Sequence, residues 1–242
     1  MSADFRLSRV AVLAFAGLLS LLASSGARCA ELNLTEQRWL QGAWPVIAYA
    51  KQARLPLDVV VQPQATPDNP PLSTAFVDGR CKLVLSMRAN PQAQATLDAI
   101  EPALVDATLE LMAAHELAHC RRYLDGAWFQ LPVGFVGGVE TDASLDAAPR
   151  REEGYGDLVG LAWTQSRHPE LYPHLHAWLL HERLTERVPG SAHDTVAWVQ
   201  LALDPATLGR GELFDAPKSL WIRGALAPVS PRDEACRAPC PD

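Results

Sequence analysis

The segment HELAH carries two histidines, His115 and His119, four residues apart, with Glu116 directly after the first. On a helix, residues four apart differ by only about 40° in direction, so both imidazoles leave one face and can reach the same metal ion. Glu116 lies about 100° away, where its carboxylate can approach a metal-bound water without ligating the metal. This spacing predicts a zinc site with His115 and His119 as ligands and Glu116 as the general base.

These residue types together suit the hydrolysis of a peptide bond. Neutral imidazole is a good zinc ligand, and zinc lowers the pKa of a bound water towards about 7. Glu116 can then take a proton from that water and pass it to the leaving amine. The alternative is an ordinary amphipathic helix that carries the pattern by chance, and a third ligand decides between the two interpretations.

The third ligand is expected on a downstream helix, because HELAHCRRYLD lacks the glycine and third histidine of the metzincin pattern. The segment REEGYGDLVGLAW supplies Glu153 and Asp157. Because these residues are four apart on a predicted helix, their carboxylates point the same way. We predict that Glu153 binds zinc and that Asp157 orients a histidine ligand through its second ring nitrogen. Glu152 is the competing ligand, but Gly156 stands where its acidic partner would be.

A single, mostly helical α+β domain must position these residues. Hydrophobic periodicity predicts helices over 34–54, 102–124, 151–165, 170–187 and 194–203. Thr35 is a candidate cap of the first helix and Pro45 a candidate interruption, while Gly126 suits the position just after the second. LDVVVQP predicts a strand, and AFVDGRCKLVLSM predicts a hairpin that turns at Asp78-Gly79. We expect a long loop over 126–150 and an irregular, proline-rich tail from about 209.

The N-terminus and the overall charge limit the class of protein. Arg6 and Arg9 precede an apolar run over 10–23 that is too short to span a bilayer, followed by SSGA. This indicates a signal peptide over 1–29, cleaved between 27 and 30, and therefore an exported protein, periplasmic or secreted. Arg28 disfavours a lipid anchor at Cys29, and no later segment reaches bilayer length. The formal net charge of −7, with no basic cluster, argues against nucleic acid as a partner.

Four of the five cysteines remain if Cys29 leaves with the signal peptide. In an oxidising compartment they can form two disulfides. Cys236 and Cys240, in CRAPC, are the local pair, which leaves Cys81 with Cys120. Buried free thiols are the alternative.

The motifs HELAH and EGYGD resemble those of the gluzincin metallopeptidases, nearest the HtpX-like and CAAX-prenyl-protease-like branch. The resemblance covers roughly residues 74–198 at motif level, with Gly156 where alanine is usual. It implies a mostly helical, zincin-like fold with a small antiparallel sheet whose edge strand borders the active-site cleft. It also implies a soluble, minimal, exported zinc peptidase. STAFVDGRCKLVLS is similar to the family's Asn-Ala-Phe element and strand, which implies that the strand over 82–87 is an edge along which an extended peptide substrate pairs.

The resemblance also implies a polar donor that assists at the transition state. SAHDTVAWV is similar to the family's histidine-proline segment, which makes His193 the candidate donor to the developing oxyanion, although Asp194 replaces the proline. A zinc-stabilised binding or chaperone-like protein of the same fold is the alternative function. The intact Glu116 argues against it, because a structural site needs the ligands and not the base.

Two further groups of residues have several interpretations. His174, His176 and His181 are predicted to be exposed or capping residues, because a His-x-His pair points to different helix faces. Trp128, Phe129 and Phe135 in the long loop either line a substrate cleft, contact a lipid surface or close the core beneath the loop.

Overall fold

The computed structural model describes residues 31–67, 69–130, 147–185 and 187–225. Its elements belong to one compact unit that begins at Leu32. In chain order they are α1 (Leu34–Gln52), β1 (Leu57–Pro63), β2 (Leu72–Val77), β3 (Arg80–Arg88), α2 (Pro91–Ala99), α3 (Val105–Leu124), α4 (Ala147–Arg167), α5 (Tyr172–Thr185), α6 (Val196–Leu201), a 3₁₀ turn (Pro205–Leu208) and α7 (Lys218–Ala225). The α+β class is confirmed. The expected signal peptide, Cys29, Phe135 and the Cys236–Cys240 pair lie outside the described residues.

Helix α1 begins with a reciprocal cap that differs from the expected one. The Asn33 side chain accepts a hydrogen bond from the Glu36 backbone N–H at 2.8 Å, and the Glu36 carboxylate accepts one from the Asn33 N–H at 2.7 Å. This capping box satisfies two backbone donors at once, so the assignment of the cap to Thr35 is wrong. The helix continues through Pro45, which therefore does not interrupt it.

The sheet is mixed, with strand order β1-β3-β2. The Asp78-Gly79 turn has positive φ at both residues and pairs β2 antiparallel to β3, as predicted. Strand β1 pairs with the other side of β3 in the parallel direction, so the expectation of a small antiparallel sheet is wrong. The strand over 82–87 is also not an edge, because β1 and β2 occupy both of its sides. Among the described strands, β1 and β2 form the edges of the sheet.

Helix α3 carries the two histidines and packs on β2, β3, α1 and α4. It begins at Val105, and the stretch before it forms the separate helix α2, capped by Asn90. It ends at Leu124 as predicted, with Gly126 at φ 64° just beyond it. This helix is the structural link between the sheet and the C-terminal helices.

A disulfide fixes α3 to the sheet. It joins Cys120 of α3 to Cys81 of β3, as predicted, and both residues are fully buried. Because β3 is the central strand, the disulfide anchors the histidine-bearing helix to the middle of the sheet rather than to its edge.

The C-terminal half is helical, and its elements pack around α4. Helices α4, α5 and α6 correspond to the predicted helices with shifted ends. Helix α7 lies in the tail that is expected to be irregular, so that expectation is wrong over 218–225. Trp221 anchors α7, because its carbonyl accepts from the Trp198 indole at 2.9 Å and its own indole donates to the Arg151 carbonyl at 2.7 Å. None of the described helices has an apolar stretch that could cross a bilayer.

Candidate metal centre

His115 and His119 meet on the buried face of α3, one helical turn apart. Their Nε2 atoms are 3.0 Å apart, and their rings are nearly perpendicular, at an interplanar angle of 86°. The two residues are only 8% and 5% exposed. The i, i+4 spacing thus brings both ring nitrogens to one point, as the sequence predicts.

Glu153 of α4 completes a group of three ligand residues. Its Oε2 lies 3.1 Å from His115 Nε2, and its Oε1 lies 3.4 Å from His119 Nε2. The ligand atoms of all three residues lie within 4.8 Å of one another, so the group could hold a metal ion. A tetrahedral zinc site with bonds of about 2.0–2.1 Å separates its ligand atoms by about 3.3 Å. The donor types and their spacing therefore fit zinc.

Asp157, one turn after Glu153 on α4, supports the His115 ring. His115 Nδ1 lies 3.0 Å from Asp157 Oδ1, and a donated hydrogen bond there leaves Nε2 directed at the other ligand atoms. Among the described residues, the buried Nδ1 of His119 has no hydrogen-bond partner. Asp157 thus orients one of the two histidines.

Two residues that the sequence analysis missed hold Asp157 in turn. Arg183 of α5 donates two hydrogen bonds to its carboxylate, at 2.9 and 2.6 Å, and the Thr195 hydroxyl donates a third at 2.5 Å. Asp157 is fully buried. A buried carboxylate needs a compensating cation, so an arginine could have been expected, but nothing in the local sequence points to one on α5.

Burial and the neighbouring charges set the ionisation of the group. Burial opposes a charge on His115, but hydrogen bonds to Asp157 and Glu153 outweigh it and raise the pKa of His115 to about 10. Burial also opposes ionisation of Glu153, yet its contacts with His115 and His119 hold its pKa well below the usual range. Against its own burial, Asp157 keeps a lowered pKa because of Arg183 and His115. Both carboxyl groups are therefore held in the ionised form.

Glu116 lies one residue after His115, and Thr74 of β2 contacts its carboxylate. The Thr74 hydroxyl is 2.5 Å from Glu116 Oε2 and 3.0 Å from the Glu116 carbonyl oxygen. Glu116 is half-buried and is not one of the grouped ligand residues. The arrangement agrees with a carboxylate beside the group rather than within it. Thr74 is a further residue whose contact the sequence analysis missed.

His193 reaches the rim of the same group. Its Nε2 lies 3.6 Å from Glu153 Oε2, and its side chain is 67% exposed. Asp194 holds the loop beside it by accepting hydrogen bonds from Arg187 at 2.8 Å and from the Gly190 N–H at 2.9 Å. The next residue, Thr195, is tied to Asp157. These contacts hold His193 at the rim although it is distant in sequence from α3 and α4.

Glu152, the alternative third ligand, forms hydrogen bonds with residues outside the group of ligand residues. Its carboxylate accepts two hydrogen bonds from Arg122, at 2.9 and 2.8 Å, and one from the Phe129 N–H at 3.0 Å. It is buried and is not among the grouped ligand residues. The choice of Glu153 over Glu152 agrees with this geometry.

Gly156 allows α4 to approach the His115 ring closely. A Cβ atom at this position would lie 2.7 Å from His115 Cε1 and 2.8 Å from Nδ1, too close for any side chain unless the ring moves. The resemblance places alanine here as the usual residue. The structure gives a steric reason for glycine in this chain, because the backbone of α4 packs directly against the ring.

The three histidines of α5 do not form a second group of metal ligands in the part of the chain that the structure describes. His174 and His181 are exposed, as predicted. His176 is buried, and its Nε2 lies 2.8 Å from the Val199 carbonyl oxygen, to which it donates. The prediction is wrong for His176, because α6 packs over that face of α5.

Four aromatic side chains form a continuous row that begins beside His119. The Trp128 ring meets the His119 ring edge to face, with centroids 5.4 Å apart. Trp128 stacks on Tyr123 at 4.1 Å and contacts Phe129 at 4.9 Å, and Tyr123 stacks on Phe76 of β2 at 5.0 Å. We call Phe76, Tyr123, Trp128 and Phe129 the aromatic row.

Compared with known proteins, the chain matches no family model, no curated protein and no solved structure.

Proposed function

We propose that the chain is an exported, zinc-dependent metallopeptidase of the gluzincin type with a zincin-like fold. The observation that carries the proposal is the convergence of the His115, His119 and Glu153 ligand atoms within 4.8 Å, with Asp157 on the second nitrogen of His115. Two helices supply this set, and its donors are those of a catalytic zinc site with two histidines and one glutamate.

The three ligand residues hold the ion, and its chemistry suits hydrolysis. When bound by these two imidazoles and one carboxylate, zinc would lower the pKa of water and polarise a peptide carbonyl.

Glu116 acts as the general base and then as the proton donor to the leaving amine. The Thr74 hydroxyl, 2.5 Å from Oε2, limits the rotation of the carboxylate. A fixed carboxylate beside the ligand histidines is suited to take the proton from the attacking water. The same carboxyl group can then return that proton to the nitrogen of the broken bond.

His193 is proposed to stabilise the negative charge that develops on the carbonyl oxygen. Its ring lies at the rim, 3.6 Å from Glu153, and remains largely exposed, so a bound peptide can reach it. The hydrogen bonds of Asp194 and Thr195 hold the neighbouring backbone in place. Stabilisation of this charge requires a hydrogen-bond donor that is already in position before the reaction begins.

The peptide is proposed to pair with β2 rather than with the central strand β3. Strand β2 is an edge, and Thr74 on it contacts the proposed base. An extended peptide added to an exposed edge gains backbone hydrogen bonds and lies along the site. The buried Cys81–Cys120 disulfide is compatible with export to an oxidising compartment, periplasmic or extracellular.

Metal analysis and peptide hydrolysis of the wild type and Glu116→Gln test this proposal. We expect one zinc per chain in both proteins, and hydrolysis of a peptide library by the wild type that stops on chelation. Glu116→Gln keeps the zinc and loses the hydrolysis. Trp44→Ala on α1 serves as the control variant, because the Trp44 side chain is 59% exposed. We expect it to keep both the bound zinc and the peptide hydrolysis.

Two results would contradict the proposal in different ways. One equivalent of zinc without hydrolysis of any peptide favours the alternative, a zinc-stabilised binding or chaperone-like protein. Absence of zinc from the wild type after exposure to excess metal removes both interpretations.

A further inference from the structure

The edge strand β2 contacts both Glu116, through Thr74, and the aromatic row, to which Phe76 belongs. Among the described strands, β2 has a partner on one side only. Thr74 contacts Glu116, and Phe76, two residues further along the same face, stacks on Tyr123. Tyr123 lies one turn after His119 on α3. Strand β2 and helix α3 therefore lie side by side between Glu116 and the aromatic row.

The outer members of the row are exposed, unlike the aromatic residues of the core. Phe76 and Phe129 are 38% and 46% exposed, whereas Trp39 and Trp221 are each 1% exposed. The exposed faces of these rings contribute nothing to closing the core, so they are available to a bound molecule.

Apolar surface beside a polar, titratable group is the usual composition of a ligand site. The row contacts the ligand histidine directly, since the Trp128 ring lies against His119. The polar groups of the row are the Tyr123 hydroxyl and the Trp128 indole N–H, which are both neutral, so the row favours an apolar side chain over a charged one. The adjacent free backbone of β2 favours an extended peptide as the molecule that carries this side chain.

We propose that the aromatic row is a specificity subsite, which binds a large apolar or aromatic side chain of an extended peptide paired with β2. This inference rests on the proposed function and names its substrate class. Thr74 and Phe76 are two residues apart on one face, so the bound side chain belongs to a residue about two positions from the peptide bond beside Glu116. Phe76 and Phe129 are the outer contacts of the side chain, and Trp128 is the inner one.

The hydrolysis test uses zinc-loaded wild type, Phe76→Ala and the control Trp44→Ala. The substrates are blocked peptides of one length that carry Phe, Leu, Ala or Asp at each position in turn. We expect the wild type and Trp44→Ala to prefer Phe and Leu over Ala at one position by roughly tenfold or more in kcat/KM. In Phe76→Ala this preference falls towards one, because kcat/KM for the Phe and Leu peptides falls more than kcat/KM for the alanine peptide. An unchanged preference in Phe76→Ala overturns the inference.

A binding test separates this inference from the proposed hydrolysis. Fluorescence anisotropy measures the binding of labelled Phe and Ala peptides to zinc-loaded Glu116→Gln, with and without Phe76→Ala. Tighter binding of the Phe peptide that depends on Phe76 supports the subsite, even where the wild type cleaves nothing and the proposed hydrolysis fails. Equal or undetectable binding of both peptides overturns it. A concentration-dependent dimer that Phe76→Ala disperses also overturns it, because a second copy then occupies the row.

Discussion

The two histidines of the candidate metal centre differ in the contacts that hold their rings. The His115 ring is fixed by a hydrogen bond to Asp157, which Arg183 and Thr195 hold in turn, and by the backbone of α4 at Gly156. The buried Nδ1 of His119 has no hydrogen-bond partner in the described structure, and its ring packs against Trp128 instead. One side of the site is polar and charged, and the other is apolar.

In the hydrolytic site proposed above, this difference would separate two tasks. Hydrogen bonds are directional, so the Asp157 side fixes the orientation and the protonation of a ligand. Ring packing is less directional and leaves apolar surface available, so the His119 side can meet a substrate. We therefore expect changes on the Asp157 side to affect metal binding and stability far more than changes on the Trp128 side.

Replacement of Asp157 by alanine is expected to have the largest effect. It leaves the Arg183 charge buried without its partner, so the free energy of unfolding should fall by about 3–5 kcal/mol in urea denaturation. It also removes the support of His115, which should weaken zinc binding by about 10–100-fold in a chelator competition. The milder Asp157→Asn keeps the shape of the side chain and should lose zinc affinity with a smaller loss of stability.

The control for this prediction is a similar pair on the surface. Arg80 also donates two hydrogen bonds to an aspartate, Asp58, but both side chains are exposed. Asp58→Ala should barely change stability and should leave zinc binding unaltered, because water screens the pair. Equal losses of stability and zinc affinity in Asp58→Ala and Asp157→Ala would show that the burial of Asp157 does not cause the effects of its replacement.

Zinc affinity should depend on pH through His115. Without metal, the pKa of His115 is raised to about 10, so the ring is protonated at neutral pH and zinc must displace that proton. The affinity should therefore increase by about tenfold, or about 1.4 kcal/mol, for each unit of pH between about 6 and 8. Asp157→Asn removes one negative group that holds the proton, so its dependence on pH should be weaker. Isothermal titration in several buffers measures both the affinity and the proton released.

Replacement of Trp128 by leucine is expected to have the smallest effect. The change removes the ring contacts with His119 and Tyr123 but keeps an apolar side chain, so stability should fall by about 0.5–1.5 kcal/mol. Zinc affinity should change by less than about tenfold, as measured beside Trp44→Leu as an exposed control. A loss of zinc as large as that of Asp157→Ala would show that the two sides of the site are equally important.

Local sequence patterns were sufficient for most of the elements and for the group of three residues that could hold a metal ion. The HELAH spacing, the i, i+4 pair Glu153 and Asp157, and the Asp78-Gly79 turn follow from the fixed periods of helices and turns. The short helix α7 was missed because Trp221 stabilises it through tertiary contacts rather than through a long apolar period. The capping box at Asn33 is readable from the sequence, since Glu36 follows it by three residues, although Thr35 is also a residue type that caps helices.

The sequence by itself determined which residues share a helix face, because the helical period fixes that relation within one segment. Only the tertiary structure decided which segments meet: β2 rather than β3 is the edge beside Glu116, and Arg183, Thr195 and Trp128 complete the surroundings of the two histidines. These contacts join residues of different segments, and they depend on strand order and helix packing. Neither is encoded in the period of any single segment.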